Sequence, residues 1–210
     1  YRLPKTNAAY DEAWAEGWPR GVREVITERS LLNCHGTFYE LPRASSGGAA
    51  TMKPVCTHGG RITDFASWRG MLVIAGNAAD AETDGHYFAS EDGKCGLWFG
   101  NVDDLWDLGK PRGQGGPWKD SQVTASEPSD PYLMTGYDRK TLELSHDSGE
   151  SVSFTVEVDL TGFGEWRTYQ TIDAPAGETV THEFPDGYSA RWVRVTADSD
   201  CTATAWLVYE

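Results

Sequence analysis

LLNCHGTFYEL (residues 31–41) and FASWRGMLVIA (residues 65–75) lie 34 residues apart, and laid over each other they put His35-Gly36 on Arg69-Gly70. Each pair sits between two short runs rich in apolar residues. A Gly-containing tight turn between such runs predicts a β-hairpin. The device recurs within one chain, and around it lie further strand signals. His86–Ser90 and Cys95–Gly100 flank the turn Glu91-Asp92-Gly93-Lys94. Strands are expected near Val22–Thr27 and over Thr51–His58, and residues 61–101 are expected to form four successive antiparallel strands. Ala44–Ala50 and Asn77–Gly85, small or acidic and without bulky apolar residues, are expected as loops.

A hairpin repeated at this period points to radially repeated β-sheet, a β-propeller, with about two blades in residues 1–110 after an irregular lead-in. Residues 111–139 are expected as a linker, long loop and hairpin, the hairpin pairing Tyr132–Tyr137 with Thr141–His146. The sandwich is expected over residues 140–210, and from 151 onward the alternation is period two. Val152, Phe154, Val156 and Val158 share one face, as do Cys201, Ala203, Ala205, Leu207 and Tyr209. Strands at Trp166–Ile172, Thr179–Phe184 and Ala190–Ala197 complete an expected antiparallel β-sandwich. The fold class is therefore all-β, a partial propeller followed by a sandwich.

Composition narrows the partners. The chain of 210 residues is 39% hydrophobic and 12% aromatic, ample for a packed core and too apolar for disorder. Its net charge is −14, with −4 in residues 1–110 and −10 in residues 111–210. That balance repels phosphate backbones and offers no basic patch to anionic lipid, so neither nucleic acid nor membrane is an expected partner. Four cysteines (34, 56, 95, 201) allow three full pairings, and spacing selects none. Cys34-His35 and Cys56-Thr57-His58 look like halves of a metal site. The hairpin places His35 in the turn at the far end of its blade from His58, so no metal is expected. No cofactor is expected either: there is no P-loop, dinucleotide Gly motif, HExxH or GxSxG.

The segments LLNCHGTFYELP, VCTHGGRITDFASWRGMLVIAG, SEDGKCGLWFGNVDDLW and EPSDPYLMTGYD, with the alternating strands behind them, resemble the C-terminal part of large bacterial propeller proteins of carbohydrate metabolism. Ser90-Glu91-Asp92-Gly93 with Trp98 is similar to the Asp-box turn of sialidase-type blades, in which Ser and Asp side chains bond backbone amides over a packed Trp. The resemblance implies a glycoside hydrolase, a polysaccharide lyase or a glycan-binding protein, secreted or periplasmic, with a poly- or oligosaccharide as partner. About two blades cannot close a ring. A fragment is therefore expected, completed by another chain or by copies of itself.

In a propeller, ligands meet the loops before the innermost strand and between the second and third strands of each blade. His58, Gly59, Gly60, Arg61 and Asp64 occupy the first position, and Asn77 to His86 the second. His58 is the candidate base, since imidazole moves protons near neutral pH. Arg61 would clamp a uronate carboxylate in bidentate fashion. Asp64, with Asp130 as a possible second, supplies the carboxylates that hydrolysis needs. Asn77, His86, Asp130 and Tyr132 are the candidate substrate contacts. The competing readings are that His58 caps a strand and Arg61 pairs with Asp64 or a neighbouring blade. Trp68, Trp98 and Trp106 are expected as packing between strands, and Trp166, Trp192 and Trp206 as sandwich core. A non-catalytic binding module, with one Trp as a sugar platform, and a structural assembly subunit are the alternatives to an enzyme.

Overall fold

The computed structural model describes residues 1–12, 18–26, 29–58, 60–77 and 85–210, the last residue of the 60–77 segment by its backbone alone. Among them the chain is all-β, with four four-stranded antiparallel sheets. It divides into two compact units: Thr6–Pro111, and Tyr1–Lys5 together with Arg112–Glu210. The second unit is therefore discontinuous, and the first is inserted into it.

The inserted unit contains two sheets. β1 (Gly21–Ile26), β2 (Arg29–Cys34), β3 (Thr37–Leu41) and β4 (Lys53–Thr57) follow one another in the order β1-β2-β3-β4. β5 (Asp64–Trp68), β6 (Met71–Asn77), β7 (Tyr87–Ala89) and β8 (Gly96–Gly100) are ordered β5-β6-β8-β7. The two hairpins expected at the repeat are present. Cys34 pairs with Thr37 and Trp68 with Met71, leaving two-residue turns. Both central residues of each are left-handed: His35 and Gly36 at φ 52° and 84°, Arg69 and Gly70 at 52° and 82°. This is the type I′ geometry whose twist matches that of the flanking strands. The four antiparallel strands expected over 61–101 are present and share one sheet, but they do not neighbour one another in sequence order as those of a blade would. β8 inserts between β6 and β7 because Gly96, Trp98 and Gly100 alternate inward beside Leu72 and Ile74, while the three-residue β7 has little to bury and takes the edge.

Both sheets contribute to one apolar cluster. Leu31, Phe38 and Cys56 from the first sheet pack with Phe65, Leu72, Ile74 and Trp98 from the second, and with Val102 and Leu105 of the 3-10 helix Val102–Leu108. Phe38 and Phe65 meet edge to face with centroids 5.1 Å apart, a favoured aromatic geometry. Ser90 and Asp92 knit together the turn that follows β7. Ser90 Oγ donates to Asp92 Oδ1 and accepts the N–H groups of Lys94 and Cys95, while Trp98 is buried nearby in the strand sequence.

The second unit holds β9 (Gly113–Val123), β10 (Tyr132–Leu133), β11 (Lys140–His146), β12 (Val152–Asp159), β13 (Trp166–Ala174), β14 (Val180–Glu183), β15 (Trp192–Ala197) and β16 (Cys201–Tyr209). They form sheets ordered β10-β15-β12-β13 and β14-β11-β16-β9. The period-two reading holds: β12 buries Val152, Phe154, Val156 and Val158, and β16 buries every second residue from Cys201 to Tyr209. His146 of β11 meets Phe154 of β12, and the Tyr209 hydroxyl donates to the Leu133 carbonyl at 2.8 Å, so the two sheets share side-chain contacts. Asp159, at the end of β12, is buried, and its carboxylate gathers the N–H groups of Thr161, Gly162 and Gly164.

Two expectations for residues 111–139 need correction. The segment read as a linker holds the eleven-residue strand β9. Its glycines mark close backbone approach: a Cβ on Gly116 would lie 1.8 Å from the Ala205 carbonyl oxygen of β16. Tyr132–Tyr137 and Thr141–His146 do not form a hairpin, since β10 pairs with β15 and β11 with β14 and β16. The N-terminal segment belongs to this unit as well. Arg2 bridges Tyr132, and Lys5 and Gln114 exchange both backbone hydrogen bonds at 2.8 and 2.9 Å.

Candidate functional site

Among the described residues, the sequence-derived candidates separate into four places. His58 and Arg61 line one concavity of about 170 Å³, together with Tyr10, Trp18, Asn33 and Gly60. His58 follows β4 and is 6% exposed. Its Nε2 lies 2.9 Å from Asn33 Oδ1 and its Nδ1 3.0 Å from the Gly60 carbonyl, while the Asn33 amide donates to the Ile62 carbonyl. Both ring nitrogens thus face acceptors. A neutral imidazole has one ring proton and serves one of them; an imidazolium would serve both. Burial decides against the charge and lowers the His58 pKa to about 4, with the Gly60 hydrogen bond opposing it. At neutral pH the ring is a neutral brace between β2 and the turn after β4.

Asp64 does not join that concavity. It is exposed and forms an ion pair with Arg23 at 3.1 Å, not with Arg61. Asp130 and Tyr132 belong to the other unit. Asp130 pairs with Arg2 at 3.0 Å, and Tyr132 is a buried β10 core residue whose ring lies tilted against that of Tyr209 with centroids 6.1 Å apart. Gly59, residues 78–84 and the Asn77 side chain lie outside the described residues, so the expectation for Asn77 and most of the loop after it is not addressed. Among the described residues no cluster of His, Cys, Asp or Glu has the makings of a metal site.

His86 sits elsewhere, in a groove of about 690 Å³ on the outer face of the β5–β8 sheet. The pleat builds this groove. Where Phe65, Leu72, Ile74 and Trp98 point into the core, their neighbours point outward. Trp68 pairs with Met71 across β5 and β6, Val73 with Phe99 across β6 and β8, and Leu97 with Phe88 across β8 and β7. Trp68 and Phe88 are 51% and 48% exposed, and both meet the Phe99 ring edge-on. A polar rim surrounds these rings: His86, Ser90, Asn101 and Asp104 line the groove. His86 is fixed by stacking on Trp98 at 5.2 Å and by its Nδ1–H, which donates to the Phe99 carbonyl at 2.8 Å. Asn101 and Asp104 are fixed by the reciprocal capping box that starts the Val102–Leu108 helix.

This placement corrects the expectation that Trp68 and Trp106 pack between strands. Trp98 does, but Trp68 and Trp106 are exposed. The signal was present in MLVIA of β6, a continuous apolar run. A strand with one wet face alternates, whereas a continuous run announces a sheet apolar on both faces. Trp192 is core, as expected, while Trp166 and Trp206 are half-buried and each carries a cation on its ring: Arg194 at 4.4 Å and Lys119 at 5.1 Å. Arg69 likewise lies 4.8 Å from the Trp68 centroid, but it is not among the groove's lining residues.

No family model and no curated protein matches this chain. Among solved structures, a chain described as "Crystal structure of PirA" is 12% identical over 47% of this chain and 84% of that one, with a TM-score of 0.26. At that similarity neither fold nor activity transfers.

Proposed function

We propose that this chain is a non-catalytic carbohydrate-binding part of a secreted or periplasmic β-rich protein, and that it holds an oligosaccharide in the groove of the β5–β8 sheet. The observation that carries the reading is the outward row Trp68, Phe99 and Phe88, with Trp68 and Phe88 exposed, Phe99 half-buried between them, and fixed polar side chains at the rim. Sugar rings present an apolar C–H face and an equatorial belt of hydroxyls. An aromatic platform with hydrogen-bonding groups at its edge is their chemical complement. The meander order of β1–β4 and the two four-stranded antiparallel sheets of the other unit are compatible with a blade and a sandwich. The order β5-β6-β8-β7 is not a blade's.

Hydrolase or lyase chemistry finds less support. Glycosidases need two carboxyls within about 5–10 Å of each other. Among the described residues the groove is lined by one, Asp104, and the His58 concavity by none. His58 is a poor general base at neutral pH, because both ring nitrogens are engaged and burial disfavours its protonated form.

Titration calorimetry against a panel of neutral and amino-sugar oligosaccharides tests the proposal. Wild-type protein should bind at least one, and Trp68→Ala should weaken that binding about tenfold or more, the worth of one good aromatic contact. Trp68 is half exposed, so the substitution should leave the melting temperature nearly unchanged. Binding unaffected by both Trp68→Ala and Phe88→Ala would overturn the reading. So would an oligomer that Trp68→Ala dissociates, which would make the groove an interface between copies of the chain.

A further inference from the structure

Granting the groove its role as a sugar site, we infer that it selects sugars bearing a free ammonium group, as in deacetylated hexosamine polymers, over neutral or uronic-acid sugars. The inference rests on the charges around the platform. Among the described lining residues Asp104 is the one carboxylate, and there is no Lys or Arg. The two segments that supply Ser90 and Asp104 of the rim, residues 90–94 and the helix 102–108, carry Glu91, Asp92, Asp103, Asp104 and Asp107 against Lys94 alone. Lys94 is spoken for by Asp92 at 3.1 Å. Arg69 is stacked on Trp68 and lies outside the lining, and Arg29 pairs with Asp103 at 3.5 Å.

A uronate carboxylate entering this groove would meet the like charge of Asp104 and no guanidinium among the described lining residues, Arg69 being engaged on the Trp68 ring. An ammonium group would meet an indole face, which attracts cations through the ring quadrupole, and a carboxylate that can accept a charge-assisted hydrogen bond. Asp104 is well placed to do this without moving. It is half-buried, and Oδ2 already accepts the Asn101 N–H at 2.6 Å, which fixes the side chain's orientation. This reverses the polarity expected from Arg61: Arg61 lines the other concavity, not the groove.

The test compares three β-1,4-linked oligomers of equal length that differ at one carbon: glucose (hydroxyl), N-acetylglucosamine (acetamide) and glucosamine (ammonium). Affinities are measured by calorimetry at mildly acidic pH, where the sugar amine is charged, at low and high salt. The glucosamine oligomer should bind about five- to tenfold more tightly than the other two at low salt, with the gap closing at high salt. Asp104→Asn keeps an oxygen for the helix cap and should erase the gap while leaving the other two affinities within about twofold. Asp104→Glu keeps both cap and charge and should retain it. Trp68→Ala should weaken all three. A glucosamine oligomer with no advantage, or an advantage that survives Asp104→Asn, overturns this inference; dependence of the remaining binding on Trp68 would then leave the groove reading standing. Failure of all three oligomers to bind, while other sugars bind through Trp68, also overturns the ammonium preference alone. Failure of every sugar overturns both.

Discussion

Asp159→Ala is expected to destabilise the discontinuous unit by about 3–4 kcal/mol and to lower its melting temperature by roughly 15 °C. The Asp159 carboxylate is 1% exposed and accepts four hydrogen bonds: from Thr161 N and Oγ1, from Gly162 N at 2.8 Å, and from Gly164 N at 2.7 Å. Alanine removes every acceptor and leaves donors of a left-handed turn, Gly162 at φ 88° and Gly164 at φ 85°, with nothing in their place. Asparagine keeps one acceptor oxygen and should recover about half of the loss. Burial by itself pushes the carboxyl's pKa up, but the N–H donors of Gly164, Gly162 and Thr161 together outweigh it, and the net shift is downward. A carboxyl lowered in the folded state stabilises above its unfolded pKa of about 3.9 and loses that contribution as pH falls through the folded value. Thermal melts of wild type and Asp159→Asn across the acid range check this. The difference between them should shrink at low pH. A constant difference would show that the carboxylate's charge does not matter.

Acid should weaken the inserted unit sooner, and through a different group. His58 is held neutral, with a pKa of about 4 against an ordinary imidazole value of about 6.5. Between those values the unfolded chain binds a proton that the folded unit refuses, so stability falls as pH is lowered. The contribution is fully present above about pH 6.5 and is lost by about pH 4; the full span is about 3 kcal/mol. Hydrogen exchange at β2 and β4 amides, followed from neutral to acid pH, should report this loss before the discontinuous unit responds. His58→Gln removes the titrating group and should flatten the profile in that window, even though the variant begins less stable. An unchanged slope in His58→Gln would assign the acid lability to another group.

The strands were largely legible in the sequence because they obey simple geometry. His35-Gly36 and Arg69-Gly70 both satisfy the left-handed demands of a two-residue turn, and β12 and β16 alternate without interruption. Sheet order was less legible. Which of β7 and β8 lies beside β6 depends on which can bury Trp98, a long-range choice that no local signal encodes. Gly113–Val123 looked like linker because its glycines lower strand propensity; their reason, the Ala205 carbonyl and the Pro4 side chain pressed against them, comes from residues far along the chain. The site was the least legible. His58 and Arg61 do meet, but local chemistry cannot reveal that burial and two acceptors immobilise the imidazole. The aromatic row was written in the sequence, yet Trp68 and Trp98 differ only in pleat parity, and parity has meaning only once the inner face is known.

The insertion has a consequence for the order of events at the ribosome. Tyr1–Lys5 emerges ahead of the entire Thr6–Pro111 unit, yet its partners are Gln114 and Tyr132. The segment must wait until more than a hundred further residues have been synthesised before it can dock. The inserted unit, whose apolar cluster lies within its own 106 residues, can meanwhile collapse unaided. Because Lys5 and Gln114 end up as direct β-bridge neighbours, a folded insert that holds its two ends together lowers the entropy of that late closure.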